Sequence, residues 1–268
     1  MNKISFKNFE LSSASLHIMA MLFMLLDHMW ATVLSYNWMT CVGRIAFPIF
    51  AFLIVEGYKH TSNLKKYMLR LLIFAIISEV PFNLLYGNRP FYPVHQNVLW
   101  TLLISLYGIK IMDNTIKKNK LWLSLITCFG VCVLGFILGY ALFVDIYGCG
   151  VLTVFVFYFF DRDKENNIIS KYFKNLKHQK LLWTLLCFIG QFVCLYQINV
   201  EILGGFYYNI NIFGMNFELV QQGIALLALI PIWLYKGKQG YHAKWFKYFN
   251  YAFYPAHCLI LGLIAIYG

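Results

Sequence analysis

The chain has 268 residues, of which 60% are hydrophobic and only 12% are charged, and its mean hydropathy is +0.64. A soluble domain carries about 25% charged residues, so this composition excludes a water-soluble globule and indicates that lipid is the solvent. The net charge of +11 does not favour nucleic-acid binding, because no stretch combines basic residues with an exposed stacking surface. Short lysine clusters between apolar segments are instead typical of topology signals and of attraction to anionic lipid headgroups.

Apolar segments near the length that a helix needs to cross a bilayer, about 20 residues, recur along the whole chain. They predict an all-α fold, a polytopic bundle of transmembrane helices that forms one domain over residues 1–268. The short sixth span could merge with the fifth into a re-entrant element over residues 143–150. We expect about nine spans, at residues 14–35, 41–58, 67–87, 97–112, 121–142, 148–160, 181–198, 217–235 and 248–267.

The distribution of lysine and arginine predicts the orientation of these spans. If the N-terminus is cytoplasmic, all of the 22 basic residues except Arg44 and Arg89 fall in cytoplasmic segments, which is the bias that sets topology in membranes. We therefore expect a multi-pass membrane protein with its N-terminus inside the cell. The charged segment 161–180 is expected to be a solvated cytoplasmic linker.

The first span contains three ionisable residues. Such a group inside a span costs roughly 2.5–3.5 kcal/mol on insertion scales, so each is a candidate functional residue. His17 and His28 are three helical turns apart, roughly 16 Å, and face the same way, with His28 toward the outer end. Asp27 is rotated about 100° from His28, so we expect it to hold a neighbouring helix or a basic group. An imidazole at His28 suits a general base; a histidine that is merely hydrogen-bonded across helices is the alternative.

Arg44 opens the second span at the level of His28. Its guanidinium could pair with Asp27, bind an anionic group, or simply anchor the helix at the interface. Glu56 ends the same span, either as a functional group or as an interfacial residue. The remaining ionisable groups predicted to lie within spans are Glu79, Asp145, Glu218 and His257.

Later candidates cluster near span ends and breaks. Asn97 and Thr101 lie at i and i+4 and share one helix face. Asp145 lies where the fifth and sixth spans are interrupted, and irregular backbone at that depth is tolerated only where it lines protein or a cavity. His257 falls toward the middle of the last span, where a lone histidine requires a partner or a function.

The sequence gives no sign of a metal site. Seven cysteines are scattered through the chain, mostly inside spans, and no CxxC pair or HExxH motif occurs. Small buried apolar side chains are the favoured reading of these cysteines. We therefore expect no metal.

Eight ordered motifs, which together cover nearly the whole chain, give the sequence a family resemblance: it resembles the TraX family, named for a membrane protein that acetylates conjugative pilin. The family in turn looks related to the broader acyltransferase 3 type of membrane acyltransferase. The motifs are His17 with Asp27-His28; Arg44-Ile-Ala-Phe-Pro-Ile-Phe50; Gly57-Tyr-x-x-Thr61-x-Asn63; Tyr67-x-x-Arg70-Leu; Ser78-Glu-x-Pro81-Phe82; Asn97-Val-x-x-Thr101-Leu; Asp145-x-Tyr-Gly-x-Gly150-Val; and Phe253-Tyr-Pro-x-His257.

The resemblance implies transfer of an acyl group, by expectation acetyl from acetyl-CoA, to an amine or hydroxyl acceptor. It implies that His28 is the catalytic base and Asp27 its orienting or structural neighbour. It further implies that Arg44, Asn97, Asp145 and His257 line the site, and we place His17 and Thr101 there as well.

Binding of the donor is expected on the cytoplasmic side. The family's usual arginine before Asn63 is Ser62 here, so Lys59, Lys65 and Lys66 are expected to replace it. Together with Arg70 they would bind the anionic part of acyl-CoA, whose pantetheine arm would thread the bundle toward His28.

Two other classes of function compete with acyl transfer. A proton-coupled small-molecule transporter could use the stripe of His17 and His28 as a proton relay. A non-catalytic membrane scaffold is the third alternative, but it does not explain the charged groups inside the spans. The acceptor stays open among a pilin N-terminus, another peptide, a cell-surface sugar and a small amine.

Overall fold

The structure is a computed structural model that describes residues 10–118, 120–160, 180–204, 207–212 and 214–268. Within these ranges the chain is a bundle of helices with one β-hairpin. The predicted linker at 161–180 lies outside the described residues except for its last position. The elements are α1 (Ser13–Met29), continued by a π-helix (Trp30–Leu34); α2 (Asn37–Gly43); α3 (Ala46–His60); α4 (Leu64–Gly87); α5 (Val98–Lys117); α6 (Leu121–Ala141); α7 (Tyr147–Phe159); α8 (Lys180–Gln191), continued by a π-helix (Phe192–Ile198) and α9 (Asn199–Leu203); β1 (Tyr207–Ile212); β2 (Met215–Val220); a 3₁₀-helix (Gln221–Ala228) followed by α10 (Leu229–Leu234); and α11 (Lys244–Tyr267).

Helix α1 carries the first group of candidate residues. It begins at a capping serine, Ser12, whose hydroxyl accepts a hydrogen bond from the backbone N–H of Ser15 at 3.2 Å. After Met29 the helix widens into a π-helix, a form that is rare in helices and frequent near functional sites. The hydroxyl of Thr32, in that segment, donates to the carbonyl oxygen of His28 at 2.7 Å.

The second predicted span is broken into two helices. Helix α2 ends at Gly43 and α3 begins at Ala46. A Cβ at Gly43 would lie 2.4 Å from the Cβ of Asp27, so only glycine allows α2 to approach α1 this closely. Pro48 falls in the first turn of α3, where its missing N–H is tolerated.

The last helix packs along α4. At Gly262 an added Cβ would come within 3.0 Å of the backbone nitrogen of Leu85, so the two backbones are in close contact, as small residues allow in membrane proteins. Helix α11 also meets α1, where His257 is hydrogen-bonded to His28. Pro81 lies inside α4 and Pro255 inside α11.

The loops gather at two ends of the bundle, which we name after the histidines of α1. At the His17 end, the backbone N–H groups of Ser13 and Ala14 donate to the carbonyl oxygens of Lys238 and Gln239 at 2.9 and 3.1 Å. At the His28 end, Gln96 forms a parallel β-bridge with Val144. The segments predicted to share one side of the membrane are therefore together in space.

The prediction of nine spans is not confirmed. Among the described residues, six helical stretches are long and apolar enough to cross a membrane, while Tyr147–Phe159 and Gln221–Leu234 are apolar but shorter and α5 is not among the six. These findings indicate a helical membrane protein. The six are Ser13–Leu34, Asn37–His60, Leu64–Gly87, Leu121–Ala141, Leu181–Glu201 and Lys244–Tyr267.

The eighth predicted span, 217–235, is wrong at its start. Residues 215–220 form β2, which pairs antiparallel with β1 in register from Tyr207↔Val220 to Ile212↔Met215. Glu218, predicted to lie within a span, is exposed on β2. The helical part begins only at Gln221.

Candidate functional site

The centre of the His28 end is a pair of buried histidines from the first and last helices. His28 and His257 are 6% and 5% exposed, and Nδ1 of His28 lies 2.7 Å from Nε2 of His257. Their ring centroids are 4.8 Å apart and their planes differ by 20°. The distance between the ring centroids is close to the nitrogen–nitrogen distance plus the two ring radii. The rings therefore lie end to end rather than face to face, and they share an N–H···N hydrogen bond.

A backbone carbonyl assigns the protons on this pair. Nδ1 of His257 lies 2.7 Å from the carbonyl oxygen of Phe253, which can only accept, so this nitrogen carries a proton. Nε2 of a neutral His257 is then an acceptor, and His28 must donate to it through Nδ1–H. The network therefore leaves the lone pair of His28 on Nε2.

The environment of His28 is aromatic and apolar. The rings of Tyr86 and Tyr254 meet it edge-on, with centroids 5.8 and 6.2 Å away. The thiol of Cys258, fully buried, lies 3.7 Å from both paired nitrogens. We call His28, His257 and Cys258 the histidine cluster.

The histidine cluster is also the group in the described chain whose donor atoms could hold a metal ion, since all three lie within 4.8 Å of one another. The geometry favours a hydrogen bond, because the two ring nitrogens that a metal would need, Nδ1 of His28 and Nε2 of His257, face each other at 2.7 Å and share a proton. A metal would have to break that bond and separate the rings. The expectation of no metal stays a prediction.

Asp27 points away from the histidine cluster, as its position next to His28 on the helix predicted. Its Oδ1 accepts a hydrogen bond from Thr40 at 2.7 Å, and its Oδ2 lies 3.8 Å from Nη1 of Arg44. Thr40 in turn accepts a hydrogen bond from Gln221. Of the alternatives left open for Arg44, the structure shows the contact with Asp27. The side chain that hydrogen-bonds the ring of His28 is His257, not Asp27.

Asp145 lies in the turn between α6 and α7 and contacts a histidine that the sequence analysis passed over. Its Oδ1 is 3.3 Å from Nε2 of His95, and Thr101 donates to its carbonyl oxygen at 2.8 Å. Burial alone would lower the pKa of His95, but the hydrogen bond and charge of Asp145, together with the charge of Glu79, raise that pKa above its usual value.

The turn that carries Asp145 is strained. Phe143, Ile146 and Tyr147 have φ values of 51°, 61° and 47°, a left-handed conformation that costs about 1–2 kcal/mol for a residue with a side chain. Its backbone is tied to the loop before α5, since the N–H of Asp145 donates to the carbonyl of Gln96 at 2.9 Å. Strain of this kind is often kept where a side chain must be held in place for function.

Asn97 has a structural task. Its Oδ1 caps α5 by accepting from the N–H of Leu99 at 3.1 Å, and its amide donates to the carbonyl of Ala75 at 2.9 Å and to Glu79. Trp100 also donates to Glu79, at 3.0 Å. These contacts show how Asn97 joins α4 to α5; they do not place it against the histidine cluster.

The His17 end contains a cavity of about 700 Å³, which we call the basal cavity. Its walls come from the first turns of α1, α4 and α11 and the last turns of α3. They also include Leu99 and Leu102, in the first turns of α5, which begins at the opposite end. His17 lines it, with Nδ1 held by the carbonyl of Ser13 at 2.8 Å.

Among the basic residues expected to bind the donor, only Arg70 lines the basal cavity. Lys59 is paired with Glu56, and Lys65 and Lys66 are exposed on the first turn of α4, where helix geometry turns them away from the cavity. The structure instead brings Lys247, from α11, to its wall. The expectation that Lys59, Lys65 and Lys66 bind the donor stays a prediction, but they do not line this cavity.

Some of the missed residues had a signal in the sequence. Lys247, Asn250 and Tyr251 follow the i, i+3, i+4 spacing of one helix face, which could have shown a polar stripe on the last helix. His95 lies in a polar loop just before the capped start of α5. Nothing in the sequence pairs His28 with a residue 229 positions away, because that contact depends on how α11 packs.

A helical bundle with a buried histidine pair at one end and a partly cationic cavity at the other defines a membrane protein built around internal polar sites. The family model described as TraX protein matches residues 12–265, and the chain belongs to the TraX family. A curated relative, "Probable fimbrial assembly protein FimC, serogroup H1" of Dichelobacter nodosus, is 31% identical over 117 residues, 39% of this chain and 48% of that protein. The chain thus spans about half the length of this relative. No solved structure matches the chain significantly.

Proposed function

We propose that the protein is a membrane acyltransferase that moves an acetyl or other short acyl group from acyl-CoA to an amine or hydroxyl acceptor. The observation that carries this proposal is the proton arrangement of the histidine pair, which leaves Nε2 of His28 as a buried lone pair held in a fixed direction. TraX membership supports it, since the family is associated with pilin acetylation. The relation to acyltransferase 3 enzymes stays a prediction.

The reaction requires a base that takes a proton from the acceptor and later gives it to the CoA thiolate. As the acceptor nitrogen or oxygen attacks the thioester carbonyl, its proton passes to Nε2 of His28, and a new C–N or C–O bond forms. The tetrahedral oxyanion then collapses, the C–S bond breaks, and CoA leaves as a thiolate. His28 returns the proton to that sulfur, which leaves the enzyme as it began.

His257 is a positioning residue in this scheme. Protonation of His28 strengthens its N–H···N bond to His257, because a cationic donor makes a stronger hydrogen bond. The carbonyl of Phe253 keeps His257 in the tautomer that can accept that bond. The neutral imidazole of His257 thus does for His28 what a carboxylate does for histidine in hydrolase triads.

Asp27 and Arg44 support the wall beside the base. Their contact joins α1 to the break between α2 and α3, and the side chain of Arg44 remains 31% exposed. A partly free cation at this level can attract the developing oxyanion or an anionic group of the acceptor. We assign the acceptor to the His28 end and the donor to the His17 end, across a bacterial inner membrane.

The test is release of CoA from acetyl-CoA by purified protein, with a panel of amines, peptides and sugars as acceptors. Wild type is compared with His28→Ala, and both must be monodisperse with similar melting temperatures. Loss of a positioned base is expected to lower the rate by roughly 10²–10⁴-fold. Retained transfer by folded His28→Ala would refute the assigned role of His28.

A proton-coupled transporter is less well supported by the site. Between His17 and His28 on α1 the buried residues Ala20, Met21 and Met24 are apolar, so that helix offers no polar relay between its two histidines. His17 lies at the basal cavity and His28 bonds to His257. Proteoliposome uptake without CoA release would favour transport over transfer.

A further inference from the structure

The basal cavity has a cationic wall that is not neutralised within the described part of the chain. The guanidinium of Arg70 lies 5.8 Å from the ring centre of Tyr67 and interacts with the hydroxyl of Tyr251, and neither partner supplies a negative charge. Lys247 forms no ion pair with any residue that the structure describes. A net positive surface therefore faces the space between α4 and α11.

Among the described residues that line the cavity, the one carboxylate is already engaged. Glu56 is paired with Lys59 through one oxygen, and its other oxygen lies 3.5 Å from Nε2 of His60. Its charge is therefore balanced within α3. It does not offset Arg70 or Lys247.

Two buried polar atoms in the same cavity have no hydrogen-bond partner in the described protein. They are Nε of Arg70, a donor, and Oδ1 of Asn250, an acceptor. Leaving a buried polar atom unpaired costs free energy, because the atom has lost its hydrogen bonds to water and gained none in the protein. A ligand that presents an anionic oxygen to Arg70 and an N–H group to Asn250 would satisfy both.

The size and the lining of the cavity suit a nucleotide. Its volume of about 700 Å³ lies inside the range of roughly 300–1,000 Å³ that is usual for small-molecule sites. Tyr241 and Phe246 line it near Lys247, and aromatic rings beside cations are the usual surroundings of a purine ring and its phosphates. Leu99 and Leu102 extend the apolar wall toward the His28 end.

We propose that the basal cavity is a nucleotide site that takes the adenosine 3′,5′-bisphosphate portion of the acyl donor, with Arg70 and Lys247 as phosphate ligands. The donor class is then a free acyl-CoA rather than an acyl group on a carrier protein. This proposal rests on the proposed function, because it names where the donor of that reaction binds. The pantetheine arm extends from the cavity along α5 toward His28.

The test is equilibrium binding of adenosine 3′,5′-bisphosphate to the full-length detergent-purified protein, by calorimetry at fixed ionic strength. Pantetheine, inorganic phosphate and short-chain phosphatidylglycerol are the comparison probes. We expect binding of the bisphosphate and of CoA that exceeds binding of each comparison probe. Equal binding of inorganic phosphate or of the lipid would overturn the assignment to a nucleotide.

Variants then locate the site. Arg70→Gln and Lys247→Gln are each expected to weaken bisphosphate binding about tenfold, because each removes a charged hydrogen-bond donor. Lys244→Gln is the matched control, since Lys244 lies one turn earlier on α11, is exposed, and does not line the cavity. If Lys244→Gln and Lys247→Gln weaken bisphosphate binding equally, the effect is long-range electrostatic attraction rather than direct contact, and the proposal is overturned.

One further variant separates this proposal from the proposed function. Folded His28→Ala is expected to bind the bisphosphate within about twofold of wild type, because the two regions share no residue, while losing transfer. Wild type that binds the nucleotide but transfers no acyl group would count against the function alone. Transfer from acetyl-pantetheine as fast as from acetyl-CoA, without nucleotide binding, would count against the site alone.

Discussion

The two polar regions of this bundle are built in opposite ways. In the histidine cluster, side chains from helices far apart in sequence bond to one another and fill the space around them. The basal cavity is open, and two of its buried polar atoms, Nε of Arg70 and Oδ1 of Asn250, have no partner in the described protein. The first arrangement fixes the direction of a lone pair, whereas the second leaves groups available to a ligand.

The two regions also differ in which residues take left-handed backbone conformations. Around the His28 end, left-handed conformations fall on residues with side chains, such as Phe143 and Ile146, which cost free energy. Around the basal cavity they fall on glycines, Gly237 and Gly240, both with φ of 73°. At Gly240 a Cβ would lie 2.3 Å from the hydroxyl of Ser12. Strain is thus kept next to the proposed chemistry and avoided at the proposed binding site.

After His28 itself, the largest effect is expected at His257. His257→Phe keeps an aromatic ring next to Phe253 but removes the acceptor for His28, so kcat should fall roughly ten- to a hundredfold, part of the 10²–10⁴ that a positioned base contributes. KM for acyl-CoA should not change. Steady-state kinetics over pH 6–9 measure both.

The control for that prediction is His257→Gln, whose amide oxygen can accept a hydrogen bond. We expect it to recover part of the lost kcat. Equal kcat in wild type and His257→Phe would show that the histidine pair is only a packing contact.

A smaller effect, on stability, is expected from Asp27→Ala. It leaves the hydroxyl of Thr40 and the guanidinium of Arg44 without their acceptor, which should lower the free energy of unfolding by about 1–3 kcal/mol. Asp27→Asn keeps an oxygen for Thr40 and should lose less. Thermal unfolding in detergent, together with kcat per folded molecule, separates the roles: a kcat loss as large as that of His28→Ala would make Asp27 catalytic after all.

A substitution in the strained turn between α6 and α7 is expected to stabilise the protein, in contrast to Asp27→Ala. Phe143→Gly removes the left-handed penalty at a residue that is 44% exposed, so it should raise the free energy of unfolding by about 1 kcal/mol. Leu142→Gly is the matched control: Leu142 is 49% exposed but has φ of −94°, so the same change should destabilise the protein. Destabilisation by both substitutions would mean that the turn is not strained.

The smallest effect concerns pH. Because Asp145 and Glu79 raise the pKa of His95 in the folded state, its protonated form contributes stability that is fully present below the unfolded pKa of about 6.5 and is lost as pH rises through the folded value. The melting temperature of wild type should therefore fall more between pH 6 and pH 8 than that of Asp145→Asn. Parallel curves for the two proteins would contradict the assigned contact.

Much of the framework could be predicted from the sequence, because hydropathy and the lysine clusters act locally. The direction of Asp27 away from His28 followed from helix geometry alone. The β-hairpin was missed although Tyr207–Ile212 alternates polar and apolar residues and Gly214 marks a turn, the usual hairpin signal. The second strand, Met215–Val220, was concealed because the start of the apolar average over 217–235 falls inside it.

The contents of the two polar regions could be predicted only in part. His28 and His257 were both identified as buried candidates, but their hydrogen bond depends on the close packing of α11 on α4, which Gly262 allows. Lys65 and Lys66 were placed at the donor site by charge, while the direction of each side chain depends on the rotation of α4. Asn97 carried an unused N-cap signal, since an asparagine before an apolar helix commonly caps it.

The most direct test of the division between the two regions is one kinetic comparison, kcat and KM for acetyl-CoA in His28→Gln and Arg70→Gln against wild type. We expect His28→Gln to lose kcat with KM unchanged, and Arg70→Gln to raise KM about tenfold with kcat nearly unchanged. Loss of kcat by both variants in equal measure, or a raised KM in His28→Gln, would contradict the separation of chemistry from donor binding.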